Sequence, residues 1–380
     1  MSIRIGDICT PFNGFTPAVT ELFPTGKYPY FKVAEMNREA NLRIMSDTDL
    51  YVRESHKFFP KGAIVFPKNG AAIATNKKRI LGQDSIVDLN TAGVKPNSKL
   101  VDTYYLFYLF QHIDFVQYMR RGAVPTLDLK SILALEIELP SIPKQQHIVA
   151  ELDLLSGIIE KKNVQFRTLD KLAESLFNET FGNLIANDRK WSKGTLNMLI
   201  ENKSKIQRAK KHFMSNDVIR YIDISSIDNV AHRITSTTEY TFNEAPSRAQ
   251  QIVQNGDILV STVRPNLRNI AIVHSKDNSL VASSGFCVLR SLSSTGEFLK
   301  QLVLSDFFTD YLLTRVSGAN YPAIREEDIR ECEMGIPPVE LQMEFSNKIK
   351  AIDAQRLAID ESMTIAKNLL ASRMNKYFND

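Results

Sequence analysis

Arg264-Pro265-Asn266-Leu267-Arg268 is the stretch of this 380-residue chain whose side chains are best suited to recognition chemistry. An arginine guanidinium offers a planar fork of donors that matches the edge of a guanine in the major groove, and an asparagine amide matches an adenine. Pro265 stiffens a loop that presents both. The stretch is either a base-reading loop or an ordinary surface turn with two solvated arginines, and spacing alone does not choose. In the first half of the chain, Lys68-Asn69-Gly70 takes the matching place, with Lys77-Lys78-Arg79 shortly after it. Three adjacent cations form a solvated face or a phosphate anchor. The densest basic cluster is Lys203, Lys205, Arg208, Lys210, Lys211 and His212, where the matching region Gly14 to Tyr28 holds only Lys27. It is an anchor or an exposed basic loop without function. Tyr321 and Arg325 follow a second Gly-Ala loop and are further candidates, with Thr126 and Lys130 in the matching region.

Other chemistry is poorly supported. The triplets Asp128–Lys130, Glu160–Lys162 and Asp188–Lys190 have the Asp/Glu-x-Lys form of a nuclease but no upstream Pro-Asp. A hidden nuclease centre would draw on Asp188 and Lys190. No Asn/Asp-Pro-Pro-aromatic loop of an amino-methyltransferase occurs, since Pro337-Pro338 follows Ile336. No Gly-rich phosphate loop appears, the six histidines are dispersed without zinc spacing, and no serine nucleophile elbow is present. The expectation is a chain with no catalytic role, no metal and no cofactor of its own.

Composition bounds the class. Hydrophobic residues make up 43% and charged residues 24%, which suits a globular protein of two or three domains. A net charge of +4 permits a nucleic-acid partner without demanding one. Three scattered cysteines (Cys9, Cys287, Cys332) argue against a disulfide framework. No run of 18 apolar residues and no signal-peptide pattern occur, so a cytoplasmic protein without membrane contact is expected.

The elements that must position these residues come as a repeat. The segment from Pro140 to Phe181 aligns without a gap on the segment from Pro337 to Phe378, 197 positions later. Both carry apolar residues at 4,3 spacing: Ile148, Leu152, Leu155, Ile159, Phe166, Leu169, Ala173 and Leu176 in the first, Phe345, Ile349, Ile352, Ile359, Met363, Ala366 and Leu370 in the second. That is a coiled-coil seam, interrupted at Lys162 and Arg356. About 36 helical residues span roughly 55 Å. A helix of that length needs a partner for its stripe, and the nearest is its own copy. Between the helices, strands are predicted over Tyr28 to Val33, Ala63 to Phe66, Ile132 to Leu139, Tyr221 to Ile224 and Ile258 to Val263, and helices over Leu100 to Tyr118 and Phe298 to Leu313. The second globular stretch repeats the order of the first. The expected architecture is a duplicated α/β (α+β) recognition domain with an antiparallel two-helix coiled coil and a pseudo-two-fold axis. Its segments are residues 1–139, 140–182, 183–336 and 337–380. Two similar heads on a rigid spacer suit DNA, whose turn is ~34–36 Å.

The residues also resemble a known family. Gly256-Asp257-Ile258-Leu259-Val260-Ser261-Thr262-Val263-Arg264-Pro265-Asn266-Leu267-Arg268 is similar to the central motif of the DNA specificity subunit of type I restriction-modification systems, and Leu139 to Val149 resembles the opening of that family's central helix. The resemblance covers the whole chain. It implies two target-recognition domains, each reading half of a bipartite double-stranded DNA target, with the helix pair setting the gap. It implies two methyltransferase subunits that carry S-adenosylmethionine and two restriction subunits that use ATP and Mg to translocate and cleave. The first head departs from the pattern, with Pro67-Lys68-Asn69-Gly70 where the second has Val263-Arg264-Pro265-Asn266. A methylation-only subunit and a purely structural scaffold are the competing readings.

Overall fold

The computed structural model describes residues 2–120, 122–293, 295–318 and 322–379. The chain forms two compact units, one of residues 1–162 with 362–380, the other of residues 163–361. Each unit therefore takes one globular head and half of each long helix, so the helices do not segregate from the heads as separate segments.

The two long helices run Ile142–Phe181 and Val339–Phe378, 40 residues each. Their starts are built alike. Gln145 is buried and its amide donates to the Pro140 carbonyl at 2.8 Å; Gln342 is buried and donates to the Pro337 carbonyl at 2.8 Å. Each glutamine supplies a donor to a carbonyl that a preceding proline segment leaves unpaired. The predicted seam is the buried stripe: Ile148, Leu152, Leu155 and Ala173 on one helix, Phe345, Ile349, Ile352, Met363 and Ala366 on the other. Leu154, Val164, Leu357 and Ile365, off the stripe, are exposed. The halves pair antiparallel in each unit. In the first, Glu151 meets Arg373 at 2.9 Å and accepts from the Tyr377 hydroxyl. In the second, Phe177 and Phe181 pack on Phe345, while Arg356 pairs with Asp170 and, at 2.6 Å, with Asp353. The interruption of the seam at Arg356 is thus a charge paired with two carboxylates.

The first head holds a five-stranded sheet ordered Cys9–Asn13, Thr91–Pro96, Ile64–Pro67, Arg79–Leu81, Ile44–Met45, and a three-stranded one in which Tyr28–Phe31 lies between Tyr51–Val52 and Ile86–Val87. In the second head, Ile258–Ser261 lies between Ile270–Ile272 and Phe286–Leu289, and Val218–Ile222 lies between Thr238–Thr241 and Leu280–Ser283. Each head is closed by a two-stranded ribbon, Ser2–Arg4 with Glu136–Glu138 and Ser192–Thr195 with Glu333–Ile336, which hands the chain to its long helix.

Three predicted elements differ. Residues 132–139 are not one strand: Asp128 caps a short helix, Leu129–Leu133, before the strand Glu136–Glu138. The helix predicted over Leu100 to Tyr118 is Thr103–His112 followed by a separate 3-10 turn that Asp114 caps. The helix predicted over Phe298 to Leu313 breaks at Ser305, which is extended and whose hydroxyl accepts from the Phe308 N–H at 3.3 Å. In each case a side-chain cap offers the backbone an alternative to continuing the apolar periodicity.

Candidate nucleic-acid interface

In the second head the strand Ile258–Ser261 ends in a loop that turns twice through the left-handed region. Arg264 has φ 50° and Arg268 φ 49°, and the 3-10 turn Pro265–Leu267 lies between them. A non-glycine residue in that region costs about 1 kcal/mol or more, so two arginines there are not what folding alone selects. Pro265 is buried and anchors the loop, while Arg264 and Asn266 are exposed. The Arg264 N–H donates to the Pro322 carbonyl at 2.8 Å, and the Ile324 N–H donates to the Thr262 carbonyl at 2.9 Å. The loop is therefore stitched to the segment that carries Arg325, which is exposed and bonds Asp328 at 3.0 Å while opening the helix Glu326–Arg330. Arg268 is engaged with Asp306. Tyr321 lies outside the described residues.

Thr262 also donates from its N–H (2.9 Å) and hydroxyl (3.0 Å) to the Gly285 carbonyl. The residues on either side of that glycine, Ser284 and Phe286, line a cleft of about 970 Å³ whose other walls include Lys203, Gln207, Arg208, Lys211, His212, Gln250 and Glu326. The basic cluster thus borders the same cleft as the Arg325 segment. It is held there because the Gln207 carbonyl accepts from the Ile252 N–H at 2.9 Å and Arg208 bridges to Gln251 at the sheet edge. Lys203, Lys205, Arg208, Lys210, Lys211 and His212 are all exposed. Lys203 is paired with Glu326, and Glu327 lies 3.9 Å away. Gln207 and Gln250 escaped the sequence reading. They are exposed amides able to pair with adenine, but glutamine carries no distinguishing signal in a single sequence.

The first head carries the same loop in a different register. Gly70, with φ 76°, donates its N–H to the Pro125 carbonyl at 2.8 Å, and the Leu127 N–H donates to the Lys68 carbonyl at 2.8 Å. A 3-10 turn, Ala71–Thr75, follows, and Asn76 closes it at φ 50°. The counterpart of Arg264 is therefore Gly70, and Lys68 corresponds to Thr262. The expected match of Lys68-Asn69 with Arg264-Pro265 does not hold, because strands Ile64–Pro67 and Ile258–Ser261 set the register two residues away from it. Lys68 is half-buried and donates to Asn13 at 3.0 Å; Asn69 donates to Asn90 at 3.3 Å.

The run Lys77-Lys78-Arg79 is not a solvated phosphate anchor. Lys77 bonds Asn37. Lys78 is 0% exposed: its ammonium donates to Asn76 Oδ1 at 2.5 Å and to the Ile113 carbonyl at 2.8 Å, and it stands 4.1 Å from the centre of the Phe115 ring. Ile113 ends the helix Thr103–His112, so the cation sits at the negative end of a helix dipole. Burial still dominates and brings the Lys78 ammonium down to about 7. Arg79 is buried with its guanidinium on the Met36 (3.0 Å) and Lys78 (2.8 Å) carbonyls. Asp188, the candidate nuclease carboxylate, accepts from the Asn183 N–H at 3.1 Å in the turn after the first long helix. The three cysteines are buried and unpaired, and burial pushes the Cys9 thiol up to about 12. Among the described residues, no helix is long and apolar enough to cross a membrane.

A twice-repeated α/β head, a loop presenting exposed arginine and asparagine beside a basic cleft, and paired long helices define a modular nucleic-acid recognition protein. Residues 1–165 match the family described as type I restriction modification DNA specificity domain. The chain is 22% identical over 377 residues to the MjaVIII type I restriction enzyme specificity subunit of Methanocaldococcus jannaschii, covering 92% of this chain and 85% of that one. It is 21% identical over 287 residues to the putative MjaX specificity subunit of the same organism, covering 70% and 64%. Its fold is shared with the type I restriction-modification S subunit from M. genitalium, at 13% identity and a TM-score of 0.56 over 100% of this chain and 96% of that one. Along most of its length the chain is thus similar to DNA specificity subunits of type I restriction-modification systems.

Proposed function

We propose that this chain is the non-catalytic reader of a bipartite DNA target. Each head contacts one half-site, the paired helices set the gap, and exposed positions along those helices receive two modification subunits, with two restriction subunits completing the enzyme. S-adenosylmethionine belongs to the modification subunits, and ATP and Mg to the restriction subunits. The observation that carries the reading is the loop built twice on the same strand end, with Arg264 and Asn266 exposed beside the basic cleft in the second head. Arg208 and Lys211 on the cleft, with Lys205 and Lys210 near them in the chain, suit phosphate oxygens, which fix position. Arg264, Asn266 and the nearby glutamines suit base edges, which specify sequence. The chain then acts where the chromosome is, in the cytoplasm.

The test is single-molecule sequencing of genomic DNA from cells with and without the gene, scored for methyladenine. The expected result is a two-part motif with a fixed unspecified gap that vanishes on deletion. An unchanged methylation pattern together with no sequence preference of the purified complex sinks the reading.

A further inference from the structure

With Lys78 and Arg79 buried, the first head lacks the phosphate anchor that its sequence suggests. The structure supplies another. The strand Tyr28–Phe31 pairs with Tyr51–Val52, which brings the segment ending at Lys27 beside the segment that begins at Arg53. Arg53 lies over the Phe23 ring at 3.9 Å, Lys57 over the Phe15 ring at 5.1 Å, and Lys27 over the Tyr28 ring at 5.1 Å. Phe58, itself 40% exposed, stacks on Tyr28 at 5.1 Å. All three cations are exposed, and among the described residues none has a carboxylate within ion-pair distance; the acids in these segments, Glu21 and Glu54, are not paired to them.

A second observation points the same way. The corresponding strand of the second head, Val218–Ile222, pairs with Thr238–Thr241 and also runs parallel to a core strand, as Tyr28–Phe31 does. Its rim is the basic cluster, where His212 packs on Phe213 and Phe213 on Phe242. Both heads thus bring basic residues and aromatic rings together at the same sheet rim, with the cations seated directly on rings in the first. In the first head this patch also reaches the repeated loop: the Lys57 charge adds to the burial that holds the Lys68 ammonium below its ordinary value, with Asp88 acting against both. A cation held flat on a ring keeps its outward N–H donors for an anion, and three unpaired cations on rings form a preordered surface for a chain of phosphates.

We propose that Lys27, Arg53 and Lys57, set on Tyr28, Phe23 and Phe15 in that order, form the phosphate-contacting surface of the first head on duplex DNA. This rests on the reading of the heads as DNA binders. Contacts to phosphate carry affinity and salt dependence but no sequence information.

The test is binding of the full chain, assembled with its modification subunits, to a duplex bearing its methylated motif, across a salt series. The triple variant Lys27→Gln, Arg53→Gln, Lys57→Gln is expected to bind at least about tenfold more weakly, with the log–log salt slope reduced by about 2.7 and the methylated motif unchanged. The double variant Lys27→Gln, Lys57→Gln leaves Arg53 on Phe23 and guards against loss of fold; its slope is expected to fall by about 1.8. Replacing the three by the opposite cation, Arg for Lys and Lys for Arg, is expected to retain binding. Folded variants with unchanged affinity and slope overturn the proposal while the reader function stands. A changed motif overturns it as well, since these residues would then be reading bases. A wild-type complex that binds no duplex removes both this proposal and the function it rests on.

Discussion

Arg264 and Gly70 occupy the same position in the two heads: each follows the same strand, has positive φ (50° and 76°), and donates its N–H to a proline carbonyl at 2.8 Å. Glycine takes that backbone without strain, and arginine does not. The second head therefore keeps a costly side chain where the first shows that none is needed for folding. Replacing Arg264 by Gly is expected to leave the melting temperature unchanged or slightly higher, and to weaken binding by about 1–3 kcal/mol with relaxed preference at one base. Affinities for duplexes randomised one position at a time decide this. A uniform loss over all sequences makes Arg264 a phosphate contact instead.

Lys78 tests the buried basic run. Its ammonium is lowered from 10.5 to about 7 by burial. Between those values the unfolded chain holds a proton that the folded chain has lost, so stability rises with pH through that window. The contribution between pH 7 and 9 is about 2 kcal/mol. Lys78→Met is expected to melt with a flatter pH dependence over pH 7–9 and to bind DNA with an unchanged salt slope. A reduced slope would return Lys78 to the surface.

Glu297, buried beside Asp353, gives the second unit an opposite dependence. Glu297 is buried, and its Oε2 and Asp353 Oδ2 have no hydrogen-bond partner among the described residues. Burial first, then Asp353, raises the Glu297 carboxyl, with Lys300 and Lys350 opposing. A raised carboxyl holds its proton longer in the folded state, so stability falls as pH climbs above the unfolded value of 4.5. His232, lowered to about 4 by burial, acts in the other sense between pH 4 and 6.5, so the variant-to-wild-type difference is the informative quantity. Glu297→Gln is expected to melt above wild type at pH 8, with the gap closing toward pH 4. Equal melting at both pH values means the carboxyl is ionised at no cost.

Local pattern carried the long helices to within two residues at their starts and to the residue at their ends. Their limits, their buried stripe and the glutamine at each start all lie within a few turns of chain, and the 197-residue repeat doubles the signal. What failed was non-local. Lys78 is adjacent to two cations in sequence, but its fate is set by the Ile113 carbonyl and Phe115 on another element. Arg53 and Lys57 join Lys27 only through the pairing of Tyr28–Phe31 with Tyr51–Val52. The register that sets Gly70 opposite Arg264 is written in strand ends and proline carbonyls, not in residue types. The exposed arginine and asparagine of the repeated loop were legible because their chemistry is unusual; Gln207 and Gln250 were not, because theirs is common.

The helix pair offers a test of the gap itself. Each long helix passes from one compact unit to the other, the first between Lys162 and Asn163, the second between Glu361 and Ser362. A heptad inserted at both points keeps the 4,3 seam in phase and leaves the ion pairs of Glu151 and Arg356 inside their own units. Seven residues add about 10.5 Å of rise, roughly three base pairs at ~3.4 Å each. Sequencing of methyladenine in cells carrying the lengthened chain is expected to return both half-sites unchanged, separated by a gap about three base pairs longer. Insertion in one helix alone puts the partner stripes out of length and is expected to abolish methylation. If the half-sites change while the gap stays fixed, the helices do not measure DNA, and spacing must instead be set by the heads or by the subunits that bind them.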